Sequence, residues 1–316
     1  MRNRFLMVGG KTVLIYLLLW GICLPCAAQH KSEPYDIQMK MKVGDRFLDS
    51  ALVQQIIDAG SESVVHQTML FIANAEVVAQ SGDTAVTMRY TYTGIKMKSQ
   101  NGTSNLVDYD SDMPQSDDAV NPFALSMSSM IGLHFDLVMS RKGSLLGCNG
   151  AEEFVKGMVD HMAKKLDWDE EKKASALQTM EQSFSGRTFL DSYASYYSCY
   201  PGKPVKLNES WKAKSNMQIA NFEQAAVISN NKLARVTDSL FQVSSTSSFS
   251  INLDSPLTGK GKLSGTSTGV VRLARANGQI IDNKIEMDVK GSTVKEGHVT
   301  PYHINSIMYL SYHPLP

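Results

Sequence analysis

The clearest chemical pattern in this sequence is a run of alternate acidic residues. Asp108, Asp110 and Asp112 follow one another as D-x-D-x-D. Alternate carboxylates in a loop can converge on a hard cation such as Ca²⁺, which takes roughly six to eight oxygen ligands. The glycine that an EF-hand loop needs after its third acid is replaced by Met113. The run therefore leaves two alternatives, a calcium site or a solvated acidic loop kept open by charge repulsion.

A serine between two glycines is the second pattern with chemical meaning. Residues 265–269 read Gly-Thr-Ser-Thr-Gly, which matches the nucleophile elbow of serine hydrolases. That elbow needs a strand that ends at the serine and a helix that begins after it. The sequence after Ser267 continues as a strand pattern and ends in a turn at Asn277-Gly278, so we expect an ordinary strand. With no coherent catalytic set, we predict that the protein is not an enzyme.

Two cysteines follow the leader described below. Cys148 and Cys199 both lie beside loop residues, and an exported chain meets an oxidising compartment in which a disulfide can form. Closing a loop of this length would stabilise the fold by roughly 3–4 kcal/mol in the chain-entropy model. The pair is therefore a disulfide candidate, and two buried unpaired thiols are the alternative.

The first 29 residues have the organisation of a secretion signal. Arg2, Arg4 and Lys11 give a basic start, and an apolar run extends over residues 12–24. Small residues follow around Ala28, where signal peptidase would cleave. The run is shorter than the ~20 apolar residues that a membrane-spanning helix needs. We therefore expect an exported chain that is periplasmic or associated with the outer membrane, with no transmembrane span after cleavage. Lipidation at Cys26 remains the alternative.

Composition restricts the classes of partner. The chain has 31 basic and 31 acidic residues, and the leader takes away basic residues only, which leaves a mildly acidic protein. No nucleic-acid partner is expected. The hydrophobic fraction of 43% is enough for ordinary buried cores, so the chain is predicted to be globular.

Both ends of the chain after the leader show the alternation of strands. Apolar and polar residues alternate over 37–43, which predicts a strand with one face on a core. The alternation over 86–92 changes phase after Gly94, which predicts a glycine bulge. Asn101-Gly102 is a favoured hairpin turn.

The middle of the chain has the period of helices. Phe154, Met158 and Met162 recur at helical spacing, and Asp169 is a candidate cap for a second helix. A third apolar pattern continues to Tyr197, before Pro201.

After Pro204 strand patterns resume, and the clearest hairpin surrounds Asn277-Gly278. Antiparallel pairing follows, because parallel strands would need long crossovers between them. The predicted fold class is mainly β with a central helical segment (α+β), in which two curved antiparallel sheets flank the helices. The predicted organisation is a signal peptide over 1–29, an N-terminal antiparallel β region over 30–149, a helical segment over 150–200 and a C-terminal antiparallel β region over 201–316.

Several short motifs together resemble a family of exported Gram-negative bacterial proteins that carries only a domain-of-unknown-function label. The motifs are Tyr109-Asp110-Ser111, Gly132-Leu133-His134-Phe135, Ser140-Arg141-Lys142-Gly143-Ser144, and Tyr200-Pro201 with Val205 and Ser210-Trp211. The segment Leu207-Asn208-Glu209 departs from the Val-Gly-Asp of that family. The resemblance implies two β-rich halves and an exported location, and it implies no activity and no catalytic residues.

These observations favour a non-enzymatic envelope protein that acts as a binding or scaffolding module. Its 17 methionines include many on apolar faces, where flexible thioethers could line a pocket for an apolar or lipid-like ligand. Core packing is the favoured explanation, because helix or strand spacing already accounts for them. The expected partner is an apolar small molecule or an envelope protein. No cofactor is expected beyond calcium. The alternatives are a hydrolase of envelope polymers and a calcium-dependent assembly or adhesion protein.

Overall fold

The computed structural model describes residues 33–60, 64–113, 122–218, 224–255 and 259–316, so the leader predicted over 1–29 lies outside the described residues. Strands occupy most of the described chain. Their bounds are β1 Arg46–Asp58, β2 Val64–Ser81, β3 Ala85–Asn101, β4 Ser104–Asp110, β5 His134–Ser140, β6 Leu145–Asn149, β7 Ser210–Gln218, β8 Gln224–Val236, β9 Leu240–Ser255, β10 Gly259–Ala274, β11 Ile280–Lys295 and β12 His298–Pro314. The helices are α1 Pro122–Ser129, α2 Ala151–Leu166, α3 Glu170–Ser183 and α4 Gly186–Tyr197.

All twelve strands belong to one antiparallel sheet. Its order is β6-β5-β3-β2-β1-β12-β11-β10-β9-β8-β7, and β4 pairs with the part of β3 that β5 leaves free. The chain is mainly β, as predicted, but the prediction of two curved sheets flanking helices is wrong. The two halves are joined because β1 pairs with β12, from Phe47 opposite Pro314 to Asp58 opposite His303. Local periodicity reveals strands but not such a distant partner.

Two local predictions in the N-terminal half have different outcomes. The register between β2 and β3 shifts at Gly94, which confirms the bulge. The strand predicted over 37–43 is wrong, because this segment is extended but joins no ladder. Met39 and Lys40 instead donate their backbone N–H groups to the carbonyls of Arg141 and Asn277, at 2.8 and 2.7 Å.

Helix α4 lies against both terminal strands of the sheet, β6 and β7. Ser185 caps it by accepting a hydrogen bond from the backbone of Thr188. Asn216 on β7 donates a 2.9 Å hydrogen bond to the buried carboxylate of Asp191 on α4. Because β6 and β7 end the strand order, α4 holds together parts of the sheet that do not pair with each other.

The main apolar core brings the extended segment, α4 and the inner face of the sheet together. Ile37, Met39 and Met41 are buried there against residues such as Tyr90 and Phe135. A second cluster fills the inner face near the other ends of β8 to β12. Its members include Val227, Phe249, Ile251, Leu263, Val289 and Ile304.

Candidate functional site

The predicted acidic run lies on β4 and in the turn after it, where Lys96 of β3 neutralises part of it. The Lys96 ammonium is 3.0 Å from Asp110 and 2.7 Å from Asp112. A hydrogen bond from the backbone of Asp112 and the charge of Lys96 lower the pKa of Asp110. Within the described ranges, no group of three or more His, Cys, Asp or Glu side chains is arranged to hold a metal ion, and this includes Asp108, Asp110 and Asp112. The calcium site stays a prediction.

Cys148 and Cys199 are separate thiols in the structure, one half-buried on β6 and the other buried just after α4. Burial raises the pKa of Cys148 to about 11 and that of Cys199 to about 12. Both groups are therefore protonated near neutral pH, and the thiolate form, which attacks disulfides and binds metals, is scarce.

Ser267 lies in the middle of β10, and the strand continues on both sides of it. This agrees with the expected strand and lacks the strand-to-helix turn of a nucleophile elbow. The Ser267 hydroxyl is 2.6 Å from the Ser247 hydroxyl on β9. A second serine is not a general base, so this contact does not activate Ser267 for attack.

A buried aspartate surrounded by tyrosines occupies the inner face of the N-terminal half. Asp49 on β1 is opposite Tyr312 on β12. Nearby, the hydroxyls of Tyr90 and Tyr197 are 2.6 Å apart and link β3 to the last residue of α4. Burial raises the pKa of Asp49 to about 7, and the Tyr312 hydroxyl offsets part of that rise. Among the described residues, Asp49 Oδ1 and Tyr312 Oη have no hydrogen-bond partner at normal distance and angle, so the Tyr312 hydroxyl affects Asp49 only through a weak interaction.

Little space remains around these tyrosines. A cavity beside Tyr197, Tyr200 and Tyr312 measures about 10 Å³, and methionines of the extended segment form much of its wall. One water molecule needs about 10–15 Å³. This part of the interior is therefore filled by its own side chains.

The inner face of the C-terminal half contains a larger cavity of about 40 Å³, which we call the serine cavity. Small hydroxyl and amide side chains from β7 to β11 and from the end of α4 make most of its lining. These are Ser195, Ser198, Ser215, Ser229, Ser245, Ser247, Ser267, Asn231 and Asn283. The amide oxygens of Asn231 and Asn283 are buried without a hydrogen-bond partner. Leaving such an atom unpaired costs about 1–3 kcal/mol.

The largest of these concavities is a groove on the outer face, which we call the outer trough. It crosses five neighbouring strands, β2, β1, β12, β11 and β10, as two adjacent rows of side chains. One row consists of His66, Ile56, Asn305, Asp288 and Thr266. The other consists of Thr68, Gln54, Ile307, Glu286 and Thr268. Its two parts measure about 310 and 360 Å³ and meet at Asn305 and Ile307.

The charges in the outer trough are concentrated at one end. The Glu286 carboxylate is 2.6 Å from the ammonium of Lys284. Asp288 is 3.2 Å from both Lys290 and His303. The other end carries amides, the Thr68 hydroxyl and the imidazole of His66. The trough therefore has polar side chains toward both ends, aliphatic side chains near its middle and two acids toward β10.

Sequence reasoning missed these three sites for identifiable reasons. Asp49 interrupts the apolar inward positions of β1, between Phe47 and Ala51, and such an interruption is a detectable signal. The run from Ser244 to Ser248 is polar at both inward and outward positions, which also marks an unusual strand. The outer trough has no local signal, because its residues come from five strands.

Comparison with known proteins gives a family but no activity. Residues 83–280 match a family described as "Family of unknown function (DUF6263)", and all four motifs behind the resemblance lie inside that range. No curated protein matches the sequence. None of the described helices is both long enough and apolar enough to span a membrane.

Solved structures give only remote similarities. An outer membrane channel from Pseudomonas putida F1 shares 5% identity, with 89% of this chain and 100% of that chain covered and a TM-score of 0.20. The translocator domain of the autotransporter NalP from Neisseria meningitidis shares 8% identity, with 95% and 96% covered and a TM-score of 0.21. OccK5 (OpdH) of Pseudomonas aeruginosa shares 6% identity, with 88% and 100% covered and a TM-score of 0.19. At these TM-scores the similarities carry no argument about this chain.

Proposed function

We propose that this chain, which belongs to a family of unknown function (DUF6263), is an exported, non-enzymatic envelope protein. In this proposal it binds an extended peptide segment of a partner protein. The outer trough is the binding site in this proposal. The composition of residues 1–29 supports export, and the residues of the trough support binding.

The observation that carries the proposal is the size of the outer trough relative to the interior cavities. Ligand pockets usually measure about 300–1,000 Å³. Both parts of the trough reach that range, at about 310 and 360 Å³. The two inner cavities described above measure about 10 and 40 Å³. An apolar ligand of lipid size would have to displace the extended segment or α4 to enter, so the described interior does not support a carrier.

A peptide matches the length and chemistry of the trough. Five strands at ~4.8 Å spacing span ~19 Å, which corresponds to about six residues of extended chain. Gln54 and Asn305 offer both hydrogen-bond donors and acceptors for backbone amides. Ile307 can contact one aliphatic side chain at the centre. Glu286 and Asp288 at one end are already paired with Lys284, Lys290 and His303, and their carboxylate oxygens can accept hydrogen bonds from the peptide.

Site-specific photocrosslinking in cells tests this proposal. A photoreactive residue is placed at Thr268 or at His66, at opposite ends of the trough, and at Asn230 on the outer face of β8 as a control. We expect both trough positions to capture the same partner protein and Asn230 to capture none of it. Mass spectrometry of the adduct should identify an extended partner segment with an aliphatic residue near its centre.

A second experiment distinguishes specific binding in the outer trough from nonspecific binding to the surface of the sheet. Ile307→Lys places a charge at the centre of the trough, and Ile228→Lys places the same charge on an exposed isoleucine of β8. The crosslinked yield should fall by about tenfold with Ile307→Lys, equivalent to about 1.4 kcal/mol of binding energy, and remain unchanged with Ile228→Lys. Equal losses, or capture at Asn230, would refute the proposal.

A further inference from the structure

Asp49 is a buried acid without a counter-charge, and it lies on the face opposite to the outer trough, independent of the proposed peptide binding. It is 7% exposed, and its Oδ1 has no hydrogen-bond partner among the described residues. Burial raises the pKa of Asp49 from 3.8 to about 7, and the weaker influence of the Tyr312 hydroxyl lowers it. Neither influence is a positive charge, so nothing in the described chain compensates the ionised carboxylate.

The titratable groups that face Asp49 from neighbouring elements are all tyrosines. They are Tyr312 on β12, Tyr90 and Tyr92 on β3, and Tyr193, Tyr196 and Tyr197 on α4. Burial raises the pKa of each tyrosine, and the negative charge of Asp49 raises it further. On β2, the residue opposite Asp49 is the uncharged Ala73. Within this described cluster, Asp49 is therefore the group that changes charge near neutral pH.

Helix α4 is the element of this cluster that can move most easily. β1, β3 and β12 are each hydrogen-bonded to neighbouring strands on both sides. α4 has 12 residues, and isolated helices shorter than about 12–15 residues are marginal in water. Side-chain hydrogen bonds attach it to the sheet, from Asn216 to Asp191 and between Tyr197 and Tyr90. A movement of α4 is thus the smallest rearrangement that brings water to Asp49.

We propose that α4 is a lid over the aromatic interior and that ionisation of Asp49 favours its opening. A buried carboxylate without a counter-charge regains its hydration when α4 moves away, and this stabilises the open form relative to the closed form. Phe135 contacts the rings of Phe189 and Tyr193 on α4, at 4.4 and 5.7 Å between centroids. Opening therefore uncovers the interior that an apolar ligand would have to enter.

Hydrogen exchange with mass spectrometry on the full mature chain tests this lid. After correction for intrinsic exchange rates, the opening constant of α4 should rise by up to about a thousandfold from pH 4 to pH 7 and then level off. That limit follows because each unit of pKa shift corresponds to a factor of about ten. Asp49→Asn does not ionise in this range and should abolish the rise. Asp110→Asn, on the exposed strand β4, should keep it.

A comparison with β12 separates opening of the lid from unfolding of the whole chain. Amides of β12 are held in the sheet on both sides of the strand, so α4 should exchange at least about tenfold faster than β12. Equal exchange in the two elements would overturn the inference, because Asp49 would then act on the whole fold.

A second variant keeps the inference testable if Asp49→Asn does not fold. Asp49→Leu removes the charge with an apolar side chain, and it should leave α4 equally protected at pH 4 and pH 8. A rise in α4 exchange of less than about tenfold in the wild type would overturn the inference. A rise that survives both substitutions would overturn it equally.

Discussion

The inner face of the sheet has opposite characters in its two halves. In the N-terminal half, aromatic rings fill the interior, and Phe135 lies within 6.2 Å, centroid to centroid, of five other rings. In the C-terminal half, serines and asparagines at equivalent inward positions leave a cavity of about 40 Å³. One continuous sheet thus supports a packed region and a hollow one. Side-chain size decides which region can hold a small molecule.

Removing a ring from the packed half should have the largest effect. Phe135→Ala deletes a fully buried side chain, and we expect a loss of about 3–5 kcal/mol in the free energy of unfolding. Phe249→Ala is the matched change in the C-terminal half. Phe249→Ala should lower the free energy of unfolding by an amount near the lower end of that range. The Phe249 ring lies over Gly265, which has no side chain, so the ring has fewer side-chain contacts to lose. Urea unfolding of both variants measures the difference, and equal losses would break the contrast between the halves.

The buried aspartate should make the packed half sensitive to pH. The pKa of Asp49 rises from 3.8 to about 7 on folding. Its contribution to stability is therefore fully present below pH ~4, is lost as the pH rises toward ~7 and stays lost above that value. About three pKa units correspond to about 4 kcal/mol.

Asp49→Asn tests this dependence directly. The variant should lose most of the change in unfolding free energy between pH 4 and pH 8, because an amide does not ionise there. Asp110→Asn is the control, because Asp110 lies on an exposed strand and the pKa of its carboxyl is lowered. This variant should keep the wild-type pH dependence over most of that range. An unchanged pH curve for Asp49→Asn would show that this carboxyl ionises at no cost.

Two hydroxyl pairs with the same separation of 2.6 Å allow a finer comparison. Tyr90→Phe breaks the pair with Tyr197 in the packed half and should cost about 1 kcal/mol. Ser267→Ala breaks the pair with Ser247 in the hollow half, where water can replace the lost hydroxyl. That change should cost less than about 0.5 kcal/mol. Thermal unfolding distinguishes them, and a larger loss for Ser267→Ala would contradict the assignment of free space.

Calcium should have the smallest effect. Because Lys96 already pairs with both Asp110 and Asp112 and neutralises part of their charge, we expect millimolar Ca²⁺ to leave the melting temperature of the purified protein unchanged. Scanning calorimetry with and without chelator measures this. A rise that Asp110→Ala abolishes would instead support the calcium-dependent alternative.

Most of the local structure could be predicted from the sequence. The Gly94 bulge, the hairpin at Asn277-Gly278 and the cap at Asp169 all depend on neighbouring residues, and all are present. The segment over 37–43 shows where this reasoning fails. Its alternation reflects burial of Ile37, Met39 and Met41 in the core, which an extended segment achieves without joining a ladder.

The sites were harder to predict than the strands. Each depends on residues far apart in the chain, such as Asp49 with Tyr312, or Asn231 with Asn283. Periodicity indicates whether a side chain points inward, but not which residues it meets. The same limitation hid the pairing that merges two expected sheets into one.

The pairing of β1 with β12 affects how the chain can fold during its synthesis. β1 is complete before residue 60 has been made, yet its partner β12 consists of the last residues, 298–314. Loop closure over such a distance is slow, and until it occurs both β1 and β11 have an unpaired edge able to join another chain. A polypeptide that stops just before residue 298 would keep those two edges permanently. We expect nascent and truncated forms of this protein to depend on chaperones far more than the finished chain does.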